Sequence, residues 1–256
     1  MPTPRRTDNG AGGPQSNEDT KAVLLVGGLG TRLRSVLPST PKPLASVGNK
    51  SFLALLVRQL RYQGIRRLVM CTGYLADQIE NEFGDGHDWD MTIEYSKEPN
   101  SLGTAGAVKF ARRYLGDVSD FLVMNGDSFV ESDFHQLFRF HRAHGGLVSI
   151  TVVEVTNACR YGTVQVNQGG RVRCFSEKTD NNAPGLVNAG VYIFSRAVLQ
   201  HIPEGPASLE RTVFPQLLDQ GVYALKQDGM FIDIGTPEDY ARAQKLCDHL
   251  DQVASR

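Results

Sequence analysis

The chain has 256 residues, with 27 Lys and Arg against 28 Asp and Glu and a formal net charge of −1. That length can bury a sizeable core, while the balanced charge, with no Lys/Arg stripe, argues against a nucleic-acid or membrane partner. Cys71, Cys159, Cys174 and Cys247 form no CxxC pair and have no zinc-ligand spacing, so they read as reduced thiols of a cytoplasmic protein. Residues 1–20 read as a disordered leader. Arg5-Arg6 could start a twin-arginine signal, but the following stretch is polar and Gly-rich where an apolar region is required.

Ala22 to Val26 predicts a buried strand that delivers the chain into Val26-Gly27-Gly28-Leu29-Gly30-Thr31-Arg32-Leu33-Arg34, with Pro41-Lys42-Pro43 close behind. Glycines there let backbone N–H groups approach a phosphate, and Arg32 and Lys42 bring positive charge to the same mouth. Taken alone, the stretch fits a turn with two solvated cations equally well. Ser51 then caps a helix whose face is Phe52, Leu53, Leu56, Val57 and Leu60, and Gly64 stops it. A strand at Arg67 to Cys71, a short helix to about Phe83, a strand at Met91 to Tyr95, a helix at Thr104 to Tyr114 and a strand at Phe121 to Met124 follow. This alternation predicts a mostly parallel sheet covered on both faces, with the ligand site beyond the carboxyl ends of the strands.

The second half is less regular. A helix at Asp133 to His144 precedes strands at Leu147–Val155, Gly162–Val166, Val172–Phe175 and Val187–Phe194, which predict an antiparallel extension. Short helices near Val198 and at Leu209–Leu218 lead to the strand Phe231-Ile232-Asp233 and a last helix with Thr236 as N-cap, Pro237 at N1 and Asp239 at N3. With no repeat or long linker, residues 21–256 read as one domain with a nucleotide-binding half at about 21–130 and a sugar-phosphate-binding half at about 131–256.

Asp127, after Asn125-Gly126, and Asp233, before Gly235, each end an apolar strand. Together they could share one divalent cation, with Mg²⁺ suiting oxygen ligands and substrate phosphates, although an Asx turn explains Asn125-Gly126 as well. The loop completes neither the P-loop pattern nor GxGxxG, and no nucleophile elbow or Ser/His/Asp spacing occurs. His141 and His144 read as a solvated helix face.

In this order the motifs resemble those of the sugar-1-phosphate nucleotidyltransferases, also called NDP-sugar pyrophosphorylases. The resemblance spans Lys21 to Ala243: the glycine loop with Pro41-Lys42-Pro43, Leu102-Gly103-Thr104-Ala105-Gly106-Ala107, Asn125-Gly126-Asp127, Glu177-Lys178, Asn188-Ala189-Gly190, Ser208-Leu209-Glu210 and Asp233-Ile234-Gly235-Thr236-Pro237. The spelling of the loop, with Arg160-Tyr161-Gly162 and Phe231 to Gly235, is most similar to the D-glycero-α-D-manno-heptose 1-phosphate guanylyltransferases, and mannose-1-phosphate guanylyltransferases are near neighbours. Many members place Pro sooner after the Arg-Leu of the loop, and Arg34 has no assigned part.

The resemblance implies a three-layer, Rossmann-like α/β nucleotidyltransferase fold and transfer of GMP from GTP to a sugar 1-phosphate. Gly27, Gly28, Gly30 and Thr31 would cradle the nucleotide phosphates, with Gly103, Thr104 and Gly106 at the base and ribose. Arg32 would hold the departing pyrophosphate, Lys42 the charge at the α-phosphate, and Asp127 and Asp233 a Mg²⁺ cofactor. Lys178 would neutralise the sugar phosphate, while Tyr161, Gly162, Glu177, Asn188 and Glu210 would line the sugar. A uridylyl- or thymidylyltransferase on a hexose 1-phosphate, and a non-catalytic sugar-nucleotide-binding regulator, stay open, as does homo-oligomerisation.

Overall fold

Short strands with apolar centres need helices on both faces of their sheet, and the first half of the chain is built that way. The computed structural model describes residues 20–33, 36–176 and 183–256. β1 (Lys21–Leu25) is followed by the hairpin β2 (Ser46–Val47) and β3 (Lys50–Ser51), then α1 (Phe52–Tyr62), β4 (Arg67–Thr72), α2 (Ala76–Phe83) and β5 (Thr92–Lys97). Next come α3 (Gly103–Phe110), β6 (Asp120–Asn125), β7 (Ser128–Val130), α4 (Phe134–His144), β8 (Val148–Val155), β9 (Thr163–Val166), β10 (Val172–Ser176) and β11 (Gly185–Ser195). The chain finishes with α5 (Phe214–Gln216), α6 (Leu218–Gly221), β12 (Val222–Gln227), β13 (Phe231–Asp233), α7 (Pro237–Lys245) and α8 (Cys247–Val253).

β6, β1, β4 and β5 lie side by side and parallel. β11 enters antiparallel between β6 and β8, and the β9–β10 hairpin joins its first residues. The expected α/β architecture, a largely parallel sheet with an antiparallel extension, is therefore present. One apolar layer packs α1 and α4 on the sheet through Leu24, Met70, Met124 and Ile193, and α8 packs on α1. The other packs α3 and the segment around Phe214 on it through Val23, Val69, Val123 and Phe194.

Three local expectations need correction. α1 does not bury one face only: Phe52 to Val57 are all buried, because the β2–β3 hairpin and α8 cover the side that an ordinary surface helix leaves wet. β12, not expected as a strand, is held by parallel pairing to β8, a distant partner that local pattern cannot reveal. His141 is buried, with Nδ1 2.9 Å from the Ser149 hydroxyl and Nε2 3.6 Å from Asp120; it belongs to the packing of α4 on β8, not to a solvated face.

Caps are placed as the sequence implies. The side chains of Ser51 and Thr236 accept from the backbone N–H of Ala54 and Asp239, and Asp133 accepts from Gln136 at 2.9 Å to start α4. Asp133→Ala is expected to cost about 1 kcal/mol in urea unfolding with turnover unchanged, since it removes a cap far from the strand exits described below.

Candidate active site

β13 does not join the main sheet. It pairs antiparallel with β7, setting Asp233 opposite Ser128, and the Ile234 N–H donates to the Asp127 carbonyl at 2.9 Å. Two carboxylates 106 positions apart are thereby held side by side at the carboxyl end of β6. The Lys42 ammonium, its side chain only 10 % exposed, lies 2.6 Å from Asp127 Oδ2.

The charges of this group are interdependent. Burial pushes the Asp127 carboxyl up, but the ammonium of Lys42, the hydroxyl of Ser128 and the charge of Arg32 bring it below the ordinary aspartate value. Burial and the Asp127 charge push Asp233 up to about 6, against the opposing pull of Lys42 and the Gly235 N–H. Such a pair of oxygen donors, short of positive charge, suits Mg²⁺. Among the described residues no set of three or more His, Cys, Asp and Glu could hold a metal, so the remaining ligands would be phosphate oxygens and water.

Beside the pair, a cavity of about 340 Å³ is lined by Gly28, Gly30, Thr31, Arg32, Lys42 and Asp127. A second, of about 190 Å³, is lined by Gly27, Glu98, Gly103, Thr104, Asn125 and Asp127. Leu25, Gly28, Ser101 and Asp127 border both, so they form one continuous cleft. At Gly28 a Cβ would meet nothing within 4 Å; a side chain there would project into the cleft, and glycine keeps it open. Gly103 is constrained differently, at φ +68° with a Cβ that would lie 2.6 Å from the Ala207 carbonyl.

Most residues expected to bind nucleotide thus meet in the cleft, with one exception. Gly106 faces the Gly205 carbonyl, 2.5 Å from where its Cβ would be, a place where it lets α3 approach the 205–207 segment. Asn188 and Glu210 line neither cavity but share a hydrogen-bond network with Thr104, through the buried hydroxyl of Tyr192. Tyr161 packs edge-on against Phe231, and Gly162 lies against the Ser176 carbonyl. Glu177, Lys178 and Arg34 lie outside the described residues.

Two residues escaped the sequence reading. Glu98 ends β5's exit as Asp127 ends β6's, and that parallel was the available signal; its Oε2 accepts the Leu102 N–H at 2.9 Å, and burial raises its pKa. Tyr192 sits in the buried stretch Val191 to Phe194 of β11, where a buried phenol has to find a hydrogen-bond partner.

A family model described as nucleotidyl transferase matches residues 21–249. The mannose-1-phosphate guanylyltransferase catalytic subunit beta of Drosophila melanogaster is 37% identical over 248 residues, covering 96% of this chain and 67% of its own. The mannose-1-phosphate guanylyltransferase of Mycobacterium tuberculosis is 38% identical over 226 residues, covering 86% of this chain and 62% of its own. The chain therefore spans about two thirds of the length of the curated relatives it matches. The crystal structure of HddC from Yersinia pseudotuberculosis complexed with GMP-PN has a TM-score of 0.79 and 33% identity, over 88% of this chain and 98% of that one. No helix among the described residues is long and apolar enough to cross a membrane.

Proposed function

Because the chain belongs to the nucleotidyl transferase family, we propose that it transfers a guanylyl group from GTP to a sugar 1-phosphate and releases pyrophosphate. The observation that carries this reading is the continuous cleft, which sets the recess at Glu98, Gly103 and Thr104 beside the glycine-lined recess at Arg32 and Lys42, with Asp127 at their junction. The triphosphate lies along Gly28, Gly30 and Thr31, with Arg32 on the phosphates that leave. A phosphate oxygen of the sugar 1-phosphate attacks the α-phosphorus as the bond to the β-phosphate oxygen breaks. That oxygen is already anionic near neutral pH, so no general base is needed. Lys42 stabilises the charge gathering at the α-phosphate, and Lys178 offsets the sugar phosphate. Asp127 and Asp233 would hold Mg²⁺, which would offset the repulsion between the two polyanions.

Guanine is favoured by Glu98. A carboxylate matches the adjacent N1–H and N2–H donors of guanine, whereas adenine offers an acceptor at N1. Glu98→Gln is expected to lower kcat/KM for GTP roughly tenfold to a hundredfold, with ATP turnover unchanged, in steady-state assays of pyrophosphate release. For the sugar, the sequence motifs favour the heptose phosphate, while the names of the curated relatives favour mannose 1-phosphate. The two differ by one hydroxymethyl group, which pocket shape near Asn188 and Glu210 has to discriminate. The test is pyrophosphate release from GTP, UTP, dTTP, CTP and ATP against heptose, mannose and glucose 1-phosphates, with and without Mg²⁺. Release from GTP with one of the first two sugars supports the reading. Release from no pair would sink it in favour of a sugar-nucleotide-binding regulator.

A further inference from the structure

We propose that Tyr192 is a positioning residue for the sugar phosphate, its hydroxyl holding Asn188 and Glu210 in one arrangement tied to the nucleotide helix α3; this rests on the reading above. The Asn188 Nδ2–H donates to the Tyr192 oxygen at 2.9 Å, and the Tyr192 O–H points to Glu210 Oε1 at 3.3 Å. Glu210 Oε2 accepts from Thr104 at 3.2 Å and from Ser208 at 3.0 Å, and Thr104 in turn accepts the Leu209 N–H at 2.8 Å. Asn188 Oδ1 is occupied by the Gly190 N–H at 3.0 Å.

The satisfied valences define the role. An ionised carboxylate has about four acceptor positions, and three of Glu210's are filled from within the protein, so its remaining lone pair has one direction. Asn188 retains one Nδ2–H, likewise aimed by the Tyr192 bond. Tyr192 is wholly buried, its ring packed against Phe194 and Phe214 at 5.8 and 5.3 Å between centroids, so its oxygen is a fixed point rather than a free rotor. Burial and the neighbouring Glu210 keep the phenol protonated and therefore a donor. Because Thr104 lines the nucleotide cavity and also binds Glu210, the network runs from the nucleotide side to the sugar side.

Tyr192→Phe removes one oxygen and keeps the ring. It is expected to raise KM for the sugar 1-phosphate roughly tenfold, with KM for GTP within about twofold and kcat within about threefold. In a Glu210→Gln background the same substitution should add little further, since both variants break one bond. Ser208→Ala removes another donor to the same carboxylate without touching the core, and should show the same split if Tyr192→Phe melts early. A uniform fall in kcat with both KM values unchanged, or no change at all, would overturn the proposal while wild-type turnover preserved the enzyme reading. Release from no substrate pair by the wild-type chain would overturn both.

Discussion

Asp127→Asn is expected to lower kcat on the order of a thousandfold, with a native circular dichroism spectrum and with nucleotide binding retained. The substitution replaces one carboxylate oxygen by an NH₂ group, so the β7–β13 ladder that sets Asp233 beside Asp127 is untouched. What it removes is half of the carboxylate pair and the counter-charge of Lys42, 2.6 Å away. It should also act on the neighbour: Asp233 is raised to about 6 in part by the Asp127 charge, so in the variant its pKa falls. The signature is then a Mg²⁺ half-saturation that rises at least severalfold, together with a metal dependence that persists to lower pH. Wild-type turnover at saturating Mg²⁺ would refute the assignment of Asp127.

Much of the fold was legible because strands buried on both faces have to be apolar throughout. Ala22 to Val26 and Phe121 to Met124 could hardly be read otherwise, and glycine-marked exits told where ligands gather. The glycine loop, Lys42 and Asp127 were legible as a group only through the register of several motifs, since each alone has a structural explanation. What sequence could not supply was pairing between distant segments. Phe231 to Asp233 read as a strand, yet nothing in those residues says that the partner is β7 rather than the main sheet; that choice is what brings Asp233 to Asp127. The same holds for Glu98, whose meaning comes from the cavity it borders, and for Tyr192, whose oxygen became informative once Asn188 and Glu210 were seen on either side of it.

The second large effect concerns the cation that the two carboxylates already have. Lys42→Met keeps a stem of similar length and removes the charge, and it is expected to lower kcat roughly a hundredfold by withdrawing the group that meets the α-phosphate. Its effect on stability follows from the signs of the two shifts. Asp127, held below its ordinary value, stabilises the fold above the unfolded aspartate pKa of about 3.9 and loses that contribution as pH falls. Asp233, raised to about 6, works oppositely: its contribution is present below about 3.9 and is lost as pH rises through 6. Without Lys42 the pull that lowers both carboxyls is gone, so both pKa values rise and the ionised pair becomes a liability near neutral pH. The metal-free variant should therefore melt at a lower temperature than wild type at pH 8 and show little difference at pH 4. Mg²⁺ should restore more of the lost melting temperature at pH 8 than at pH 5, where protons compete for the same oxygens. A variant whose deficit is the same at every pH would mean that Lys42 serves only as packing and that the charges of Lys42, Asp127 and Asp233 are not coupled.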